Sequence, residues 1–180
     1  MKSKINLELK YFCKDFKVIR KILKEIGARK IAIKKQRDYF FNLPQASKAE
    51  PARLKLRVEN GTQTLIFYQR PNFSKTESTS SDIILYPVKD PDLFSLLQKI
   101  LGVKVIVEKN RELWKKGNTV FHIDKVKGVG NIFEIEVWTS SKTMRKDPVN
   151  FASYKEKFLP YLHKIIHGSN EDLALALLSK

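Results

Sequence analysis

The segment Arg53-Leu54-Lys55-Leu56-Arg57 alternates base with leucine at a spacing of two. In an extended strand successive side chains point to opposite faces, so one face carries only bases and the other only leucine. The same spacing recurs in Asn6-Leu7-Glu8-Leu9-Lys10, Tyr68-Gln69-Arg70-Pro71, Lys109-Asn110-Arg111, His122-Ile123-Asp124 and Glu134-Ile135-Glu136. An ordinary amphipathic sheet would turn these charges to water. Random surface decoration, however, would mix signs within a strand. Here bases gather in the segments at 53–57 and 109–111, and acids gather at 134–136. If the apolar faces lie outward beneath helices, the charged faces meet inside. Such an interior needs a compensating ligand, because an unpaired buried charge is very costly. A polyphosphate with a divalent cation meets that need. Arg and Lys match phosphate oxygens, and carboxylates bind Mg²⁺ or Mn²⁺.

Bulk properties narrow the class. A chain of 180 residues, 42% hydrophobic and with 11 Phe, fits one folded domain with a real core rather than a disordered segment. No apolar run approaches the roughly 20 residues needed to span a bilayer. Met1-Lys2-Ser3-Lys4 is followed at once by a strand-like segment, without the apolar stretch of a signal peptide. The single Cys13 cannot form an internal disulfide. These features create the expectation of a cytoplasmic protein with no membrane partner. The net charge of +16 points to an anionic partner. Lysine is nevertheless spread along the whole chain, so charge alone does not choose between nucleic acid, a membrane surface and a phosphorylated small molecule.

Periodicity and punctuation place the elements. Strand character is expected at 3–13, 31–41, 53–59, 64–70, 81–88, 103–114, 119–126 and 131–139. Asp15 caps a helix running to Ile26, with Val18, Ile19, Ile22 and Leu23 as its apolar stripe and Gly27 as its stop. Asn60-Gly61 is a strong hairpin signal. Residues 71–82 read as a polar loop, with Lys75 a further phosphate contact. Asp90-Pro91 starts a second helix that ends near Leu101. Phe151, Tyr154, Phe158, Leu162 and Ile165 mark a third, kinked at Pro160. Leu173–Leu178 forms a short last one. The order Asp15, Gly27, Lys34-Lys35-Gln36, Tyr39 recurs 75 positions later as Asp90, Gly102, Lys109-Asn110-Arg111, Trp114. Each copy is followed by a hairpin bend at Gly61 or Gly128. Two similar halves are therefore expected to build one symmetric sheet. A strand count near eight is about the number at which a sheet closes into a small barrel.

The motifs, taken in order, resemble the CYTH superfamily, the triphosphate tunnel metalloenzymes that include class IV adenylyl cyclases and thiamine triphosphatases. The resemblance runs through Glu8-x-Lys10, Gln36-x-Asp38-Tyr39-Phe40, Arg53-x-Lys55-x-Arg57, Leu65-Ile66-x-Tyr68-x-Arg70-Pro71, Val107-x-Lys109-x-Arg111, Asp124-x-Val126 and Gly130-x-x-Phe133-Glu134-Ile135-Glu136. It implies an α+β fold: a closed eight-stranded antiparallel β-barrel, or tunnel, with flanking helices, forming a single domain over 1–180. It implies phosphate contacts from Lys10, Lys55, Arg57, Arg70, Lys109 and Arg111. It implies Mg²⁺ or Mn²⁺ held by Glu8, Glu134 and Glu136 with Asp124 close by, and catalysis carried by Glu8, Lys10, Arg57 and Glu136. The substrate class implied is a triphosphate-containing small molecule: tripolyphosphate, thiamine triphosphate or a nucleoside triphosphate. The chain departs from the family where Asn6 stands in place of the first motif Glu, since Asn brings no charge and cannot act as a base.

The expected function is metal-dependent triphosphate hydrolysis. The alternatives are cyclic AMP formation from ATP and non-catalytic binding of polyphosphate or nucleotide. Nucleic acid ranks last, because the aromatic-basic platforms of RNA-binding sheets are missing from the sequence. Monomer and homodimer both stay open. His122, His163 and His167 show no metal-ligand spacing on a shared strand, and Cys13 reads as a passive thiol.

Overall fold

A computed structural model describes residues 5–44, 52–69, 82–139 and 147–179. The strands are β1 (Ile5–Cys13), β2 (Arg29–Phe41), β3 (Ala52–Glu59), β4 (Thr62–Gln69), β5 (Asp82–Val88), β6 (Val103–Lys116), β7 (Thr119–Val126), β8 (Gly130–Thr139) and β9 (Leu162–Ile165). The helices are α1 (Phe16–Glu25), α2 (Leu93–Leu101), α3 (Asp147–Phe158) and α4 (Asn170–Leu178). All nine strands belong to one sheet in the order β5-β4-β3-β2-β6-β7-β8-β1-β9. Every pairing in it is antiparallel.

The order is palindromic about the β2–β6 pair. One half runs β1-α1-β2-β3-β4 and the other β5-α2-β6-β7-β8. Each half contributes a hairpin beside the central pair, and each half's first strand pairs with the last hairpin strand of the other half, β5 on β4 and β1 on β8. The two halves expected from the repeated punctuation are present. The local signals act as expected too. Asp15 accepts a hydrogen bond from the Lys17 amide at 2.7 Å and caps α1. Asn60 and Gly61 both adopt positive φ, 48° and 83°, the backbone that a two-residue hairpin turn demands.

The sheet curls but does not close. β1 and β5 line one cavity through Glu8, Ile83 and Leu85, yet no ladder joins them among the described residues. The closed eight-stranded barrel is thus corrected to an open, curled, nine-stranded sheet. Part of the edge that closure would use is occupied: β9 pairs with β1 through Tyr11–Ile165 and Cys13–Leu162. That strand lies where the third helix was expected to continue. The helix ends instead at Phe158, because Pro160 has no N–H to continue the α-helical hydrogen-bond ladder. A 3-10 turn at Leu159–Tyr161 then delivers the chain into β9. The second helix also starts later than expected, at Leu93. Asp90 spends its carboxylate on the Asp92 amide at 2.8 Å in the preceding turn.

Two apolar clusters hold the sheet. The larger packs α1 and α3 on one face through Ile19, Leu23, Phe121, Phe133, Ile135 and Phe158. Phe121, Phe133 and Phe158 are fully buried, and Phe158 lies 4.6 Å from Phe133, ring centre to ring centre. The smaller cluster is on the opposite face. Phe40, Val105, Val107, Val126 and Ile132 pack there against Leu173 and Leu175 of α4. This face is therefore apolar at one end, where α4 fills it, and charged beyond.

Candidate functional site

Register assembles the charged end. Residues directly opposed on antiparallel strands share a face. Glu8 faces Glu136 and Lys10 faces Glu134 across β1 and β8. His122 faces Glu134 across β7 and β8, and Arg111 faces Asp124 across β6 and β7. Gln36 faces Lys109 across the central pair, while Asp38 faces Arg57 and Phe40 faces Lys55 across β2 and β3. All of these except Gln36, Asp38 and Asp124 line a cavity of about 270 Å³. Ile66, Tyr68, Ile83 and Leu85 form its apolar side, and Ser169 and Asn170 reach it from the start of α4.

Two fully sequestered aspartates organise the bases. Asp38 accepts hydrogen bonds from Lys55 Nζ at 2.8 Å and from Arg57 Nε and Nη2 at 2.7 and 2.8 Å. Asp124 accepts from Lys109 Nζ at 3.2 Å and from Arg111 Nε and Nη2 at 2.7 and 2.6 Å. Burial alone would raise both carboxyls. The cations beside them, Lys55 and Arg57 for Asp38, Arg111 and Lys109 for Asp124, overcome it and hold both well below the carboxylate range. The lysines bear the opposite cost. Burial, with Arg57 adding repulsion, pushes Lys55 down to about 7; burial, with Arg111 adding, pushes Lys109 down to about 8. Arg111 stays charged, since Asp124 and Glu134 outweigh its burial.

The acids collect on β8. Glu134 accepts from Arg111 Nη2 at 3.1 Å and lies 3.9 Å from Lys10 Nζ, which also donates to Glu8 at 2.8 Å. His122 Nε2 is 2.9 Å from Glu136 Oε2. Burial, reinforced by Arg111, pushes the His122 imidazolium down to about 4, so the ring is neutral near pH 7. One ligand atom from each of His122, Glu134 and Glu136 falls within a 4.8 Å envelope. Two carboxylates and a neutral imidazole make a donor set of net charge −2, which fits a divalent cation.

Lys10, Lys55, Arg57, Lys109 and Arg111 thus meet Glu8, Glu134 and Glu136 in one cavity. Asp124, expected beside the metal, has both oxygens engaged by Lys109 and Arg111. Arg53 shares the face of Lys55 and Arg57 but turns to α4, donating to Glu171 at 3.0 Å and Asp172 at 3.3 Å. Asn6 pairs opposite Trp138 on β1, and its side chain lies outside the described atoms. Arg70 and Lys75 also lie outside the described residues. Sequence reasoning missed His122 as a member of the acidic corner, because its partners come from the neighbouring strand rather than from its own. It also missed Asp38 as an organiser of Lys55 and Arg57. The signal for both is β-pairing: each stands opposite a charged residue once the hairpins are aligned.

Comparison with known proteins follows the geometry. Residues 4–156 match the model of the CYTH domain. MJ0240 of Methanocaldococcus jannaschii, whose name proposes an adenylate cyclase, is 29% identical over 135 residues, covering 73% of this chain and 76% of its own. The fold is shared with the PH1012 protein of Pyrococcus horikoshii OT3, at a TM-score of 0.76 and 22% identity over 94% of this chain and 99% of that one. It is shared also with HpAC1 of Hippeastrum, a proposed adenylyl cyclase described as having a dominant triphosphatase activity, at a TM-score of 0.63 and 15% identity over 96% of this chain and 95% of that one. With the family model spanning most of the chain and the charged strand residues of the cavity falling inside that span, this protein is a member of the CYTH family.

Proposed function

We propose that this protein hydrolyses a triphosphate-containing small molecule with the help of Mg²⁺ or Mn²⁺. The observation that carries this reading is the meeting of Lys10, Lys55, Arg57, Lys109 and Arg111 with Glu8, Glu134 and Glu136 around a single cavity of about 270 Å³. The size suits a chain of phosphates, and the bases offer point charges and forked guanidinium contacts to its oxygens. Asp38 and Asp124 orient those bases before any ligand arrives, so little reorganisation is needed when negative charge builds on the phosphate. Glu8, Glu134 and Glu136 are the carboxylates that would hold the cation. When bound, the cation supplies neutralisation of phosphate charge and alignment of the attacking oxygen. Arg57 and Arg111 hold the phosphates in place. Glu136 and Glu8 are the carboxylates positioned to take the proton of an attacking water. The bond formed is from water oxygen to the terminal phosphorus, and the bond broken is the bridging P–O to the next phosphate, which leaves as the anion.

The relatives divide between the two readings: MJ0240 carries a cyclase name and HpAC1 a triphosphatase description. Cyclisation of ATP also needs a pocket that recognises the base; a neighbouring pocket of about 920 Å³ shares Lys109 with the cavity, so the assay decides between the two reactions. The test is one screen in which phosphate, pyrophosphate and cyclic nucleotide are read together. Phosphate release from tripolyphosphate or a nucleoside triphosphate is expected with Mn²⁺ or Mg²⁺, and its loss by at least ~100-fold in Glu136→Ala and Arg57→Ala, the order seen when a charge-stabilising group is removed. Tight triphosphate binding without turnover would sink the hydrolase reading, and robust cyclic AMP formation would replace it with the cyclase.

A further inference from the structure

The hydrolysis proposed above assigns the cation to carboxylates alone, although His122 stands in one donor set with Glu134 and Glu136. Several observations give His122 a role there. The ring is 4% exposed and lines the cavity. It faces Glu134 in register, and its Nε2 stands 2.9 Å from Glu136 Oε2. Its Nδ1 is buried with no hydrogen-bond partner among the described residues. Nε2 is the ring nitrogen in contact with Glu136, so it is the one a cation bound to both side chains would take, with the ring proton then on Nδ1. His122, Glu134 and Glu136 together offer ligand atoms inside a 4.8 Å envelope. From that spread, metal–ligand bonds of about 2.0–2.2 Å are reached by sub-ångström side-chain shifts.

We infer that His122 is a direct ligand of the catalytic cation, completing a His122–Glu134–Glu136 set that selects Mn²⁺ over Mg²⁺. The inference deepens the proposed function, since it concerns the same cation, but it stands or falls on binding rather than turnover. The chemistry is that of donor softness. Mg²⁺ prefers an all-oxygen octahedron and sheds its waters reluctantly. Imidazole suits first-row transition cations, and a mixed nitrogen and carboxylate set gives them the advantage. Among the described residues the ligand group comprises these three side chains, which would leave further positions for water and phosphate oxygen. Glu8, opposite Glu136 and bonded to Lys10, is not among these three, and His122 joins the carboxylates named above rather than replacing Glu8.

The experiment uses the full chain loaded with Mn²⁺ alone, with no phosphate present. Pulsed electron paramagnetic resonance is expected to show ¹⁴N modulation from a coordinated imidazole, and the modulation should change to the ¹⁵N pattern in protein grown with ¹⁵N-imidazole histidine. In His122→Gln the nitrogen signal should vanish and Mn²⁺ affinity, by calorimetry, should fall at least ~10-fold, the order typical for perturbing a metal's ligand sphere. Mg²⁺ affinity should change much less. Mn²⁺ bound without nitrogen coupling in the wild-type protein would overturn the inference, and so would no Mn²⁺ binding at all or equal Mn²⁺ affinity in His122→Gln. The wild-type spectra decide the matter even where the variant folds poorly. Nitrogen coupling with no phosphate release would remove the hydrolase reading and leave His122 a ligand. Phosphate release without nitrogen coupling would do the reverse.

Discussion

Lys55 and Lys109 show most directly what burial does to a binding residue. Both are drawn down toward neutrality, to about 7 and about 8, although each touches an aspartate. The sign of the consequence is fixed by linkage. In the empty protein the folded state holds these protons less tightly than the unfolded chain, whose lysines titrate near 10.4. Stability therefore rises with pH between about 7 and 10. A polyanion reverses the preference, because it favours the charged lysines. Its binding takes up protons, and its affinity is full below about pH 7 and falls as pH climbs through 7 to 9. The fall approaches about tenfold per pH unit for each lysine that titrates. Calorimetry of tripolyphosphate binding at fixed free Mg²⁺, in buffers of differing ionisation enthalpy, should show proton uptake in this window. Affinity independent of pH from 7 to 9 would place both lysines outside the phosphate site.

At the scale of elements, α4 is the piece whose role was least visible in advance. Its sequence predicts only a short helix. Its position makes it the filling of the sheet's apolar end and one wall of the cavity through Ser169 and Asn170. The anchor is Arg53, 7% exposed, which donates to Glu171 and Asp172, while Lys104 donates to Glu171 at 2.9 Å. Removing one member of a buried ion pair costs about 3–5 kcal/mol, because the partner is left charged and dry. Arg53→Ala should lower stability by about that amount in urea denaturation and should strip hydrogen-exchange protection from residues 170–178 first. Wild-type protection of α4 in that variant would show that the apolar contacts of Leu173 and Leu175 hold it unaided. The strand elements, by contrast, were legible to within a residue or two, since each carries its alternation on its face. The exception is β9, four residues that read as the end of a helix because Leu162 and Ile165 continue the helical spacing of Tyr154 and Phe158.

For the whole molecule, the dominant fact is that one end of the sheet's inner face is ionic and that no ladder closes the sheet among the described residues. The clustered bases repel one another in the empty cavity, and the two aspartates offset only part of that. A ligand that brings negative charge should therefore stabilise the fold well beyond the local contacts it makes. Tripolyphosphate with Mn²⁺ at about 100 times its dissociation constant should add about 2.7 kcal/mol by mass action. The urea midpoint should rise accordingly, and the rise should shrink in Arg57→Ala. A midpoint unmoved by tripolyphosphate at millimolar concentration would mean that the cavity does not hold it.

The family resemblance implied that Lys10, Lys55, Arg57, Lys109, Arg111, Glu134 and Glu136 share one charged site, and the sequence by itself determined the strand faces, the hairpin at Asn60-Gly61 and the repeat of the two halves. These last three follow from a side-chain period of two and from local backbone preference, both of which are written in neighbouring residues. Only the tertiary structure decided that the sheet stays open, that β9 takes part of the β1 edge, that Asp38 and Asp124 serve the bases, and that His122 stands with Glu134 and Glu136. Each of these depends on which strand lies beside which. Pairing between residues far apart in the chain is set by the packing of the whole sheet, and no local pattern encodes it.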